Sequence, residues 1–229
     1  MRSYRLRVVS TFIVSILLIP TAALAQASVA EPNAAAATPD FDAAGYVAWF
    51  RGNRADIGSD TFRDWYSTPL VSAGVGHYWT GHLKTEAELA ITGRGNLVSF
   101  EEPHGEPFVS RYVYRNHTYQ VHTLSLVQSY QFRRNAWVHP FVGAGIDIDW
   151  ERRTVEGSVQ VTDSRGEQPR FSHEPLPRDV QTDVIARAVA IAGFKAYLAR
   201  YAFFRTDVRA SLADGLDHVS WRFGFGWDF

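Results

Sequence analysis

The last eleven residues, Val219 to Phe229, read VSWRFGFGWDF, and no other stretch limits the architecture of this chain so tightly. Side chains alternate across a strand with period two. Val219, Trp221, Phe223, Phe225, Trp227 and Phe229 therefore share one face, while Ser220, Arg222, Gly224, Gly226 and Asp228 share the other. A soluble sandwich would bury the aromatic row against a second sheet, whereas a row closing on a carboxyl-terminal Phe predicts a strand whose greasy face meets lipid. Its length suits the roughly 9–11 residues that a tilted strand needs to cross a bilayer. Trp221, Phe223, Phe225 and Trp227 are accordingly expected to face lipid, and the remainder of the chain has to supply seven partner strands.

The start of the chain predicts export. Arg2, Arg5 and Arg7 form a basic region, Val8 to Ile19 an apolar run too short for a spanning helix, and Ala23-Leu24-Ala25 a small-x-small cleavage site. Residues 1–25 thus read as a signal peptide and 26–41 as a flexible leader rich in alanine. Residues 42–229 read as the barrel. The 23 basic and 24 acidic residues nearly cancel, which leaves nucleic acid without an electrostatic footprint. Cysteine is absent, removing disulfides, zinc-thiolate sites and thiol nucleophiles. A mean hydropathy of -0.17 argues against a helical membrane bundle but suits a barrel, in which only alternate residues touch lipid.

Alternation recurs along the chain. Ala44 to Arg51 is short and aromatic without a settled facing, and Asn53 to Thr68 reads as a loop. Pairing Trp79 with Leu83 places Val71, Ala73, Val75, Leu83, Ala87, Leu89 and Ile91 outward and sets Gly74 and Gly76 opposite Glu88 and Glu86, with Lys84 opposite Tyr78. Glycines there leave room for carboxylates in a narrow interior. Gly93 to Thr118 reads as a long polar connection. Tyr119 to Phe132 and Val138 to Trp150 form a second hairpin, with Phe132 opposite Val138 and Pro140 as its weakest point. Glu151 to Gln181 reads as the longest outer loop. A third hairpin, Thr182 to Leu198 with Ala202 to Ala213, pairs Leu198 with Phe204 and sets Lys195 opposite Asp207. A tight Asp214-Gly215 turn then brings Asp207 opposite Arg222.

The count is eight strands, an all-β, antiparallel, up-and-down transmembrane β-barrel with short turns at one end and longer connections at the other. With the export signal, the segment HPFVGAGIDI at His139 to Ile148 and the closing RFGFGWDF at Arg222 to Phe229, the chain resembles the bacterial eight-stranded outer-membrane β-barrel family that includes the barrel of outer membrane protein A and related small porin-like proteins. The resemblance implies a Gram-negative outer membrane, lipid and the outer-membrane insertion machinery as partners, and Phe229 as the insertion signal. It implies no activity, because function within such a fold varies.

Lys84, Glu86, Glu88, Lys195, Asp207, Arg209 and Arg222 form the expected lumen charge network, joined by Asp147, Asp149, Arg187, Arg205 and Asp228. An ion path is one reading, but an eight-stranded interior is only wide enough for side chains, so a network of paired charges filling the lumen is favoured. The eight histidines show no helical metal spacing, and no metal, cofactor or catalytic residue is expected. Trp65, Tyr66, Trp79, Trp137, Trp150, Trp221 and Trp227 read as an interfacial girdle. The expected role is structural or envelope-interacting, with at most minor passage of small solutes and a monomer favoured. Two alternatives stand beside it: a secreted lipocalin-like barrel with its apolar faces inward, and an outer-membrane lipid-modifying enzyme using Ser211 or Ser220 with His218 and Asp207.

Overall fold

The computed structural model describes residues 5–6, 40–53, 65–101, 108–132, 137–165, 168–213 and 215–229. Within residues 1–39 only Arg5–Leu6 is described, lying parallel to Asp183 and Val184. The signal peptide and leader expected there, the turns at Arg134 to Ala136 and Asp214, and His104 lie outside the described residues.

Nine strands follow: β1 Phe41–Asn53, β2 Trp65–Tyr78, β3 Leu83–Thr92, β4 Gly95–Glu101, β5 Val109–Gln131, β6 Val138–Asp163, β7 Arg170–Tyr197, β8 Ala202–Leu212 and β9 Leu216–Asp228. Eight of them close a ring in the order β1, β2, β3, β5, β6, β7, β8, β9, with β9 returning to β1 in antiparallel register. The remaining strand, β4, continues β3 past Gly93 and Arg94 and pairs with the upper part of β5. Closure satisfies every ladder within the ring, the condition for placing a sheet in hydrocarbon.

The faces are inverted relative to a soluble protein. Trp221 is 56% exposed, Phe225 65% and Trp49 59%, whereas Arg222 is 1% exposed, Lys195 1% and Asp207 2%. A lipocalin-like barrel needs the opposite arrangement, so the soluble alternative fails. Aromatic side chains cover the outside from Phe229 and Trp227 at the end carrying the short turns to Trp150 at the other. The chain is a transmembrane β-barrel.

Several elements differ from the sequence expectation. β1 resolves its own facing, with Tyr46 inward and Trp49 outward. β2 starts at Trp65, so Tyr66 belongs to a strand and points inward, where it stacks on Tyr119 at 5.0 Å; it is no part of the girdle. The supposed connection 93–118 is mostly strand, β4 and the start of β5, because Leu97, Ser99, Val113, Tyr119 and their neighbours alternate and pair. The supposed loop 151–181 is also strand: β6 and β7 pair on from Glu151 opposite Asp183 to Asp163 opposite Arg170, with a bulge between Val155 and Gly157. Its charged composition reflects a sheet wetted on both faces, which carries no hydrophobic alternation to read.

Two hairpin registers shift by two residues. Phe132 donates its N–H to the Pro140 carbonyl at 2.8 Å, which puts Pro140 at the last rung beside β5, where a missing N–H costs one terminal bond rather than a central one. Leu198 bonds to Ala202 rather than facing Phe204, so Lys195 stands opposite Arg205, and Asp207 opposite Gly193. A two-residue slip keeps every side chain on its face. Glu88 opposite Gly74, Glu86 opposite Gly76 and Arg222 opposite Asp207 are in the register read from the sequence.

Candidate functional site

Two regions hold the unusual chemistry: the lumen and the sheet that rises beyond it. Ionic side chains run along the lumen, each delivered by the inward alternation of its strand, beside inward apolar clusters of Val127, Phe141, Val189 and Ile191 and of Phe50, Tyr66, Leu70 and Tyr119. At the end where Phe41 pairs with Phe229, Lys195 of β7 reaches Asp228 at 2.5 Å, Asp42 at 3.4 Å and the Tyr78 hydroxyl at 2.8 Å. Lys84 of β3 lies 2.7 Å from both Asp42 and Glu86. Lys195 therefore does not form the ladder with Asp207 that its sequence register suggested; the tighter turn after Tyr197 carries it toward the end where Phe229 lies.

At mid-height, Arg222 of β9 donates to Asp207 through Nε at 2.6 Å and Nη2 at 2.9 Å and reaches across to Glu88 of β3. Arg205 of β8 pairs with Glu86 and lies 3.1 Å from Asp207. β3 and β8 stand opposite one another in the ring, so the Arg205–Glu86 pair spans its full width. Arg209 lies 3.2 Å from Glu88 and donates to Ser125 at 2.6 Å. The guanidinium of Arg222 also rests 4.7 Å from the centre of the Tyr46 ring, a stacking contact that a buried arginine favours. Gly224 makes this possible, because a Cβ there would collide with the same ring.

Toward the other end, Asp147 accepts hydrogen bonds from Ser125 at 2.6 Å and Ser211 at 2.8 Å. Arg187 of β7 then gathers three carboxylates, Asp149 at 2.6 Å, Glu151 at 2.8 Å and Asp217 at 2.7 Å. His218 of β9 enters this group, with Nε2 at 3.3 Å from Glu151 and Nδ1 at 3.7 Å from Asp149. Ser211 stands opposite His218 in the β8–β9 register, but Asp207 does not complete a hydrolytic triad with them. Ser211 serves Asp147, Asp207 serves two arginines, and all of them face the lumen, away from the lipid such an enzyme would attack.

The space left inside is small. The cavity bordered by Glu88, Asp149, Arg209, His218 and Arg222 measures about 20 Å³, room for about one water. Salt bridges such as Arg205–Glu86 cross the lumen beside it.

The second region was not visible in the sequence. Above Trp150, β5 and β6 stay paired from Val121 opposite Glu151 to Val109 opposite Asp163, flanked by β4 and β7. At roughly 3.3 Å per residue β5, β6 and β7 continue for about 40 Å along their strands, with β4 flanking the lower part as far as Glu101 opposite Val113. One face carries a cleft of about 360 Å³ lined by Ser99, Arg115, His117, Arg153, Leu176 and Asp179 among others. Arg153 can only donate, so the Nδ1 of His117 accepts from it at 3.2 Å, and the Nε2 of His117, 2.8 Å from Ser99, carries the ring proton. The opposite face carries an aromatic group, with Phe100 at 5.0 Å from Tyr114 and 5.7 Å from Tyr112.

No protein-family model and no curated protein matches the sequence. Among solved structures, Neisserial surface protein A is similar at 11% identity over 82% of this chain and 97% of that one, with a TM-score of 0.44. The attachment invasion locus protein Ail of Yersinia pestis is similar at 9% identity over 84% and 100%, TM-score 0.45. The outer membrane protein OprG of Pseudomonas aeruginosa is similar at 12% identity over 84% and 96%, TM-score 0.46.

Proposed function

We propose that this chain is an integral outer-membrane protein that works as a closed scaffold, holding a long β-sheet outside the cell for contact with envelope or external partners. The observation that carries the reading is the continuation of β5, β6 and β7 thirteen residues beyond the lipid belt, a costly extension for a chain whose only task is to span. The ion pairs that cross the ring support it from the other side, since they occupy space that an aqueous path would need. Passage of solutes is then a minor activity at most. The exposed Phe171 and the Phe100, Tyr112, Tyr114 group give the sheet apolar footholds well away from the acyl chains, and the Arg115 and Arg153 cleft gives it a polar one. Phe41 and Phe229, bonded to each other, lie at the end of the short turns, the periplasmic side in this orientation, where Phe229 serves as the signal to the insertion machinery. No catalytic step is assigned.

The absence of native cysteine makes the test clean. Ser172→Cys, on exposed β7, is expected to react with an impermeant maleimide on intact cells, and Thr80→Cys, in a short turn, only after the outer membrane is opened. Labelling of Thr80→Cys alone on intact cells would invert the orientation and remove the proposed role. The wild-type barrel in planar bilayers is expected to give no sustained conductance.

A further inference from the structure

The sequence shows no metal motif, yet the fold brings Asp149 and Glu151 of β6 and His218 of β9 together at the outer end of the lumen, each offering a ligand atom within 4.8 Å of the others. We propose that these three side chains bind one divalent transition-metal cation, of the Zn²⁺ or Mn²⁺ class, that pins the base of the external sheet to the opposite rim of the barrel.

Three observations converge on this group. His218 is 4% exposed, and its Nε2, aimed at Glu151, makes no hydrogen bond among the described residues. A buried imidazole nitrogen left that way is costly unless something else takes its lone pair or its proton. Next, a cavity of about 20 Å³ opens beside His218 and Asp149; Asp147, Ser211 and Ser220 border it together with Arg209 and Arg222, and Glu151 does not, so room for one water or ion lies next to the ring, on the side of Asp149. Finally, Arg187 brings a single positive charge to three carboxylates, Asp149, Glu151 and Asp217.

Arg187 orients the ligands rather than replacing the ion. A carboxylate has about four acceptor positions, and Asp149 spends one on Arg187 and one on the Thr123 hydroxyl. Such outer contacts are the usual support of a metal site. Metal–ligand bonds of about 2.1 Å to nitrogen and oxygen require ligand atoms no more than about 4.2 Å apart. A contraction of about half an ångström, within side-chain rotation, converts the present spacing. One imidazole with two carboxylates and no thiolate selects zinc or manganese over soft ions. Because Asp149 and Glu151 sit where the barrel ends and the external sheet begins, and β9 is low-walled beside them, the ion would tie the tall wall to the short one.

Titration of the folded protein, purified without a histidine tag, with Mn²⁺ followed by electron paramagnetic resonance tests this directly. One bound Mn²⁺ per barrel, displaceable by Zn²⁺ and showing nitrogen coupling from an imidazole, is the expected result. His218→Gln and Asp149→Asn are each expected to weaken binding about 10-fold or more, and His173→Gln, on the exposed sheet, to leave it unchanged. Absence of binding, absence of nitrogen coupling in the wild-type protein, or binding unaltered in both lumen variants would overturn the proposal. An imidazolium held between two carboxylates would give the first of these results. Should neither variant fold, the nitrogen coupling of the wild-type ion decides.

Discussion

Arg222 is the most heavily used cation of the lumen, and its removal gives a magnitude that can be worked from its contacts. In Arg222→Leu, Asp207 loses a bidentate partner at 2.6 and 2.9 Å, and Glu88 loses its bond to Nη1. Leaving a buried charge uncompensated costs about 3–5 kcal/mol. Neither carboxylate is stranded completely, because Asp207 keeps Arg205 at 3.1 Å and Glu88 keeps Arg209 at 3.2 Å. The lower end, about 3 kcal/mol, is therefore expected. In urea unfolding of the detergent-folded protein, with a slope of about 2 kcal/mol per molar, that loss moves the midpoint down by about 1.5 M. Adding Glu88→Gln to the same variant removes one negative charge, matching the one positive charge lost, and is expected to return at least about 1 kcal/mol, a coupling typical of contacting residues. Unfolding midpoints for Arg222→Leu within about 0.3 M of wild type would refute the reasoning, since only a wide, hydrated lumen could screen two carboxylates so well.

Other perturbations follow from the same geometry. Phe223→Arg places a charge on the outer face near the middle of β9 and is expected to cost about 2–4 kcal/mol, read as slowed insertion into lipid vesicles and loss of the mobility shift between unboiled and boiled samples. Gly224→Val drives a side chain into the Tyr46 ring beneath Arg222, so a loss of about 1–3 kcal/mol from overpacking is expected in the same urea assay, and Tyr46→Ala is expected to relieve part of it. Lys195→Met takes the cation from Asp228 and leaves it the Tyr197 hydroxyl, while Asp42 keeps Lys84 at 2.7 Å; a loss of about 3 kcal/mol is expected, partly recovered by Asp228→Asn.

The sequence carried the barrel wherever one face was greasy and the other polar. VSWRFGFGWDF, the 71–91 hairpin with Gly74 and Gly76 opposite Glu88 and Glu86, and the Asp207–Arg222 pair were legible because alternation and turn chemistry agree there. Partners crossing the lumen were not, since nothing local links Arg205 to Glu86 or Lys195 to Asp42 across the ring. Asp42 was overlooked as a lumen residue although it shares the inward face of Tyr46 and stands opposite Gly76, the one local cue. The β6 and β7 part of the external sheet escaped because neither of its faces is buried, which erases the period-two signal and leaves charge, Gly and Pro to suggest a loop; β4 and the start of β5 do bury one face, through Leu97, Ser99 and His117, but polar residues on that face hid it. Asp149, Glu151 and His218 come from strands far apart in the chain, so only closure of the ring reveals that they meet.

Quenching of tryptophan fluorescence by lipids brominated along the acyl chain tests the inverted faces most directly. A variant retaining Trp221 as its only tryptophan is expected to be quenched strongly in brominated bilayers, while one in which Tyr66→Trp supplies the only tryptophan, inside the barrel, is expected to be quenched little. Equal quenching of both, or protection of Trp221 with quenching at position 66, would contradict a barrel that turns its aromatic row to lipid and encloses its charges.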